Sequence, residues 1–261
     1  MDDLQHQHQR TNETLVETLV HVLGFREREQ ALIQRGPVHG SIASRIRALP
    51  GGRYPEIIGS GYLVVAGDNL LTWRTLVLAK FQPAYGHLSL LRTAIECAVN
   101  ARWLLDPSIS AASRIARGLA AQRADYEERK KFETTIRGGP KMKAPGKSAS
   151  ERLDDLKREQ VADSIANESM NVTAAARSYL VGSGNGEGIY RLLSAFAHGN
   201  SWSLVASERT IFPNVNPPPH GHIGQVTASG DLAVDLTNIA VMTYAAAVTD
   251  LGLYFLPNHV P

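Results

Sequence analysis

The sequence predicts an all-α fold, a helical bundle of about seven helices that forms a single domain over residues 1–261. Apolar residues recur at three- and four-residue spacings along most of the chain, as in amphipathic helices. The composition is 43% hydrophobic and 20% charged, which excludes a chain that is disordered throughout. The single cysteine, Cys97, excludes a disulfide scaffold and a multi-cysteine zinc site, and we expect a reducing cytoplasm.

The helical patterns differ in clarity along the chain. They cover residues 11–34, 62–81, 85–105, 108–137, 149–168, 173–181, 188–198 and 231–254. The third is the clearest, with apolar residues at helical spacing: Leu88, Leu91, Ile95, Val99 and Trp103. The pair Asp106-Pro107 is expected to end that helix, and Gly199 is placed to end the helix over 188–198.

Besides a loop after the first helix, broken by Gly36-Pro37, Pro50-Gly51-Gly52 and Pro55, three segments are predicted to lie outside the helices. They are a flexible tail over residues 1–10, a basic loop over 138–148 and a proline-rich loop over 210–222. Residues 203–209 and 222–229 could form a short β-hairpin near the C-terminal third, the one β element of the prediction.

The last helix is apolar enough to raise the question of a membrane span. It contains Asp235, Asn238 and Asp250, and its longest charge-free stretch is shorter than the roughly 20 apolar residues that a spanning helix needs. We therefore expect a core helix and no membrane partner.

The candidate cofactor and metal motifs in the sequence do not have the residue spacing that such sites require. The alternating glycines between Gly182 and Gly188 do not match the G-x-G-x-x-G fingerprint of a dinucleotide loop. Two His-x-His pairs, at positions 6 and 8 and at positions 220 and 222, lack a third ligand at a recognisable distance. The sequence predicts neither a cofactor nor a metal site.

A basic run extends from Arg114 to Lys147. It holds ten lysines and arginines against four acidic residues, a local charge of +6. Such a run could contact a phosphate backbone. Charge runs on helices are more often solvated faces, and Glu127 with Lys131 is a stabilising pair of that kind.

The most informative stretch runs from Glu187 to Asn200. If it is helical, Arg191 and His198 lie on one face, about 10 Å apart along the axis, with Ser194 between them. A permanent cation, a hydroxyl and a titratable imidazole thus form one stripe. These three are the candidate catalytic residues.

This stretch is similar to the signature of the HEPN superfamily (higher eukaryotes and prokaryotes nucleotide-binding), written Arg-x4-6-His. The earlier segment Leu90–Pro107 resembles a helix of a subset of bacterial HEPN-like proteins, in which Arg-x3-Glu and Trp-Leu-x-x-Pro precede Ser-x3-His-Gly. Here those positions are Arg92, Glu96, Trp103, Pro107, Ser194, His198 and Gly199. The resemblance is loose over residues 62–204 and close only in these two helices.

The resemblance implies a metal-independent endoribonuclease that forms a homodimer, with arginine and histidine from both chains in one cleft. Arg191 would stabilise phosphate charge, and His198 would act as general acid or base on the ribose 2′-hydroxyl or the leaving oxygen. At the end of its helix the imidazole favours the protonated form, which suits an acid. Supporting roles fall to Arg92, Glu96, Tyr190 and Asn200. The implied setting is a toxin or phage-defence effector acting on RNA, with an antitoxin or other partner protein.

The alternative is a non-catalytic HEPN-like dimer that binds a partner protein or a small ligand. Active members of the superfamily often carry Asn, Asp or His directly after the arginine, whereas this chain has Leu192. In this alternative Arg191 pairs with Glu96 or Glu187, and His198 bonds a carbonyl. Exposed Arg191 and His198 side chains in a basic cleft would favour the enzyme, and a buried His198 or a fully paired Arg191 would favour the alternative.

Overall fold

Nine α-helices account for the regular structure of the residues that the computed structural model describes, which are 2–81, 86–135, 147–163, 168–199 and 230–257. In chain order they are α1 (Asp2–Arg35), α2 (Ile42–Ile46), α3 (Tyr54–Leu78), α4 (Gly86–Leu105), α5 (Ala111–Thr135), α6 (Ala149–Asp163), α7 (Val172–Tyr179), α8 (Gly186–Ala197) and α9 (Gly230–Phe255). The predicted all-α class is confirmed.

Four long helices, α1, α3, α4 and α9, form the centre of the bundle. Each of them packs against two or more of the others, and one hydrophobic core joins them. Fully buried members of that core include Leu19, Leu70, Trp73, Leu91 and Leu251. Burying one such aliphatic side chain stabilises the fold by about 1.5–3 kcal/mol. Because α4 lies in this core, the same burial holds in place the helix that positions the candidate site.

Helix α4 is buried on most of its circumference. The five apolar residues that predicted it are all buried: Leu88, Leu91, Ile95, Val99 and Trp103. It contacts α3 and α9 in the centre and the short pair α7 and α8 outside. The predicted bounds 85–105 match the observed Gly86–Leu105 closely.

Helices α7 and α8 pack against each other and against α4. Each begins at an asparagine whose side chain accepts a hydrogen bond from the third helical residue's amide: Asn171 from Ala174 N at 3.1 Å and Asn185 from Gly188 N at 2.9 Å. Helix α8 ends as predicted, because Gly199 adopts φ +65° and donates its amide to the carbonyl of Phe196.

Helices α5 and α6 pack against each other, and α5 joins this pair to α3 and α4. A second hydrophobic cluster of Ile115, Leu119 and Leu156 joins them to the start of α3. Ser148 and Glu151 begin α6 with a capping box, in which the Glu151 carboxylate accepts from the Ser148 amide at 2.7 Å.

One helix was missed and two predicted boundaries were wrong. Helix α2 lies in the stretch predicted as a loop, where the Ser41 side chain begins it by accepting from the Ser44 amide at 3.1 Å. Helix α1 continues through residues 2–10, where a flexible tail was predicted; this stretch contains neither glycine nor proline, so extending an already packed helix costs little. Helix α3 begins at Tyr54 and not near residue 62, because Pro55 occupies the first turn, where proline is tolerated. Gly59 is needed there, since a Cβ would lie 2.9 Å from Leu105 Cγ.

Several predicted segments lie outside the described residues. They are the hairpin over 203–209 and 222–229, the proline-rich loop over 210–222 and residues 138–146 of the basic loop.

Helix α9 is long and apolar enough to cross a membrane by length and composition, and 56% of its most apolar window is buried within the bundle. Several of its polar side chains have partners on other helices. Tyr244 donates to the buried carboxylate of Glu29, and Asp250 accepts from Arg102 Nε at 2.8 Å. Helix α9 therefore contributes a packed face and polar contacts such as these to the interior of the bundle.

Candidate functional site

The three candidate catalytic residues lie along one face of α8. The side chain of Arg191 is 66% exposed, His198 is exposed, and Ser194 is half-buried between them. Spacings of three and four residues keep all three on one stripe of the helix. The predicted juxtaposition of cation, hydroxyl and imidazole is thus present on the surface.

A carboxylate holds Arg191. Glu187 Oε1 accepts from Arg191 Nε at 2.9 Å and lies 2.8 Å from one terminal nitrogen, and its other oxygen accepts from Arg177 of α7. The Arg177 and Arg191 guanidinium groups hold the pKa of the Glu187 carboxyl below its usual range. Two cations therefore flank one carboxylate at the start of the stripe, leaving a local charge of +1.

A second polar cluster, which we call the α4–α8 cluster, consists of Arg92, Glu96, Tyr190 and Ser194. Arg92 Nε donates to Ser194 Oγ at 3.3 Å, and a terminal nitrogen of Arg92 lies 3.2 Å from Glu96 Oε2. The Tyr190 hydroxyl donates to the same carboxylate oxygen at 3.4 Å, and the Arg92 guanidinium lies 5.9 Å from the Tyr190 ring centre. The structure thus brings together three of the four predicted supporting residues around Ser194.

His198 follows the last turn of α8 and is its C-cap residue. Its backbone amide donates to the carbonyl of Ser194 at 3.0 Å, which fixes the backbone of the histidine relative to the serine. The negative end of the helix dipole lies there. Asn200, the fourth supporting residue, lies outside the described residues.

The stripe and the α4–α8 cluster meet at Ser194. Arg92 behind the serine and Arg191 beside it place two guanidinium groups near one exposed face. Such an arrangement can bind an anion with oxygen atoms, because guanidinium donors match phosphate geometry. The imidazole of His198 adds a group that can move a proton at neutral pH.

Cys97, one residue after Glu96, takes no part in this chemistry. It is buried, and burial together with the neighbouring Glu96 charge raises the pKa of its thiol to about 12. A thiol with that pKa is protonated at neutral pH and is a poor nucleophile.

Sequence reasoning missed Arg177. Its partnership with Glu187 joins α7 to α8, and no local spacing indicates it because the two residues belong to different helices. The Asp106–Tyr179 hydrogen bond, at 2.7 Å, was missed for the same reason.

The basic run divides into two parts. Arg114 is 2% exposed and donates to the carbonyl of Ile109 at 3.1 Å, and Arg117 donates to the Trp103 carbonyl and to the Tyr179 hydroxyl. These two arginines are structural. The lysines further along α5, Lys130 and Lys131, lie toward the surface beside α6.

No group of three or more His, Cys, Asp or Glu residues that could hold a metal ion occurs among the residues with described positions.

The comparisons with known proteins bear on this same region. A search of curated proteins and of solved structures finds no match. The model of a family of unknown function, DUF5677, matches residues 74–209, a segment that contains both Arg92 of α4 and His198 at the end of α8. Because the match covers more than half of the 261 residues, the chain belongs to this family of unknown function, DUF5677.

Proposed function

We propose that this protein is a metal-independent endoribonuclease of the HEPN type, with Arg191, Ser194 and His198 as its reactive face. The observation that carries the proposal is the joint exposure of Arg191 and His198 on one stripe of α8, with the Ser194 hydroxyl between them. The proposal includes a homodimer, in which a second copy brings the same stripe to one cleft.

The proposed chemistry is transfer of a phosphodiester to the ribose 2′-hydroxyl. The 2′-hydroxyl gives its proton to water as its oxygen forms a bond to phosphorus, and the bond to the 5′-oxygen of the next nucleotide breaks. Arg191 binds the phosphate oxygens as negative charge increases on them. His198 in its imidazolium form gives a proton to the departing 5′-oxygen.

The α4–α8 cluster supports this role. Arg92 Nε donates to Ser194 Oγ, so the serine hydroxyl hydrogen is free to turn toward a phosphate oxygen on the exposed side. Glu96 and the Tyr190 ring hold the Arg92 guanidinium in place from two directions. We infer that this cluster positions Ser194.

The proposed setting is the cytoplasm, where the protein acts as a toxin or phage-defence effector restrained by an antitoxin or another partner protein. In this proposal α9 serves as a core helix, which agrees with the burial of 56% of its most apolar window.

A second candidate is a non-catalytic dimer that binds a partner protein or a small ligand. The contact of Glu187 with Arg191 favours it, because the carboxylate competes with an anionic substrate for the guanidinium. The competition is incomplete, since both contacts of Arg191 go to one oxygen and its side chain stays largely exposed.

Cleavage of RNA by the purified full chain in EDTA tests the proposal. We expect cleavage that resists the chelator and that Arg191→Ala and His198→Ala each abolish. Arg177→Ala is the matched control, because it removes the other guanidinium bound to Glu187 without touching the stripe. Cleavage that both alanine variants retain would contradict the proposal, and absence of cleavage by folded wild type would favour the second candidate.

A further inference from the structure

A groove of about 650 Å³ lies between α5 and α6, apart from the α8 stripe. Its lining on α5 includes Arg123, Glu127, Lys130 and Thr134, which follow one another at four-, three- and four-residue spacings and so form a single stripe of the helix. The lining extends along α5 from Arg123 to Thr135, a length of about 18 Å at 1.5 Å per residue. The groove is therefore elongated.

The groove is strongly basic. Its charged lining consists of Arg123, Lys130, Lys131 and Lys157 against Glu127 alone, a net charge of +3. Lys131 and Lys157 form ion pairs with Glu128 and Asp154, neither of which lines the groove. These pairs are largely exposed, and such pairs contribute little, so an anionic ligand can replace them at small cost.

The base of the groove is apolar and fixed. Leu156 is buried in the cluster that joins α6 to α5, and Leu153 lies half-buried beside it. At one end Arg123 donates to the Glu168 carbonyl at 3.5 Å, which anchors its guanidinium to the chain before α7. Cations thus border a floor of leucine side chains.

We propose that the α5–α6 groove binds the phosphate backbone of a single-stranded nucleic acid. An elongated groove suits a strand with repeated phosphates better than a compact anion. Cations along both walls match its charge, and the leucines offer apolar contact to sugars and bases. The site is independent of the α8 stripe and requires no catalytic activity.

Binding of a fluorescein-labelled 15-residue oligodeoxythymidylate to the full chain, measured by anisotropy at several salt concentrations, tests the groove. This probe has no 2′-hydroxyl, so cleavage by the proposed mechanism cannot interfere. We expect the logarithm of the affinity to fall linearly with the logarithm of the salt concentration, with a slope of about −2 to −3 for three to four phosphate contacts. The double variant Lys130→Gln/Lys157→Gln should bind roughly fivefold or more weakly and reduce the slope by about 1.4.

The control removes two positive charges elsewhere. Arg35 at the end of α1 and Arg152 on α6 are exposed and do not line the groove. Arg35→Gln/Arg152→Gln should bind like wild type, and equal weakening in both double variants would overturn the assignment to this groove. Displacement of the probe by poly-L-glutamate as readily as by unlabelled oligonucleotide would also overturn it, in favour of an acidic protein partner.

The binding and cleavage experiments distinguish a wrong assignment of the groove from a wrong nuclease proposal. The loss of affinity that Lys130→Gln/Lys157→Gln causes should be of the same size in an Arg191→Ala background, because Arg191 does not line the groove. Normal binding without any RNA cleavage would support the groove and contradict the nuclease. Cleavage by a protein that does not bind the probe would overturn the groove alone.

Discussion

Arg92 on α4 donates a hydrogen bond of 3.3 Å to the hydroxyl of Ser194 on α8, a residue 102 positions later in the chain. This bond links the most buried helix of the bundle to the exposed stripe that carries Arg191 and His198. The rigid core of α4 therefore sets the position of the serine, and through the turn that follows it the position of His198.

The Arg92–Ser194 bond should be measurable as a coupling in stability. Arg92→Ala should lower the free energy of unfolding by about 1–3 kcal/mol, and Ser194→Ala by about 0.5–1.5 kcal/mol, because each removes a partly buried hydrogen bond. The double variant should lose less than the sum of the two, by about 0.5 kcal/mol or more, since the residues are in contact. Urea unfolding of the four proteins measures the cycle, and strict additivity would show that the bond contributes nothing.

Two glycine-to-alanine substitutions test the backbone conformation at the end of α8, because they should change the free energy of unfolding in opposite directions. Gly199 has φ +65°, and a Cβ added there would meet no atom within 4 Å, so Gly199→Ala should destabilise by about 1–2 kcal/mol through backbone strain alone. Gly61 lies on the exposed face of α3, where a Cβ also meets nothing within 4 Å, and Gly61→Ala should stabilise by about 0.5–1 kcal/mol. Thermal or urea unfolding gives both values, and equal signs would contradict the conformation assigned to Gly199.

Asp106 should make part of the stability depend on pH. Burial opposes its ionisation, but hydrogen bonds from Ser108 and Tyr179 outweigh burial and hold the pKa of the carboxyl below its usual value near 3.9. Its folded-state pKa is lowered, so its contribution is present above the unfolded value and is lost as pH falls through the folded value.

Urea unfolding at pH 7, 5, 4 and 3 measures this dependence. Asp106→Asn should be less stable than wild type at pH 7 by about 1–3 kcal/mol, because hydrogen bonds to a charged group are lost. The difference in the free energy of unfolding between the two proteins should become smaller from pH 5 to pH 3. A difference that stays constant over this pH range would show that the Asp106 charge does not stabilise the fold.

Glu187 should restrain the activity of the stripe. Glu187→Gln removes the negative charge that holds Arg191 and lies beside the proposed phosphate site. We expect cleavage at low RNA concentration to rise by roughly two- to fivefold, which corresponds to the small energy of an exposed ion pair. The measurement is the initial cleavage rate with subsaturating RNA, alongside the melting temperature. A lower rate in a variant that melts normally would mean that Glu187 assists Arg191 and does not compete with the substrate.

The helices with dense apolar patterns could be predicted from the sequence, because their buried faces repeat at helical spacing. Helix α4 is the example, with Leu88 and Val99 buried as its pattern requires. The start of α3 was missed because Pro55 was taken as part of a loop, whereas it occupies the first turn of the helix, where proline is tolerated.

Only those features of the site that lie within a single helix could be predicted from the sequence. The stripe on α8 and the contact of Arg191 with Glu187, four residues earlier, follow from helical spacing. The Arg177–Glu187 and Arg92–Ser194 contacts depend on how separate helices are set against one another, which local spacing does not encode.

The most direct test of the central claim is a double-mutant comparison of RNA cleavage in EDTA, using wild type, Arg191→Ala, His198→Ala and the double variant. If the two side chains act on one phosphodiester, each single change should reduce the rate by about 100-fold or more, and the double variant should be no slower than the slower single variant. Near wild-type cleavage by either single variant would contradict a shared reactive face on α8.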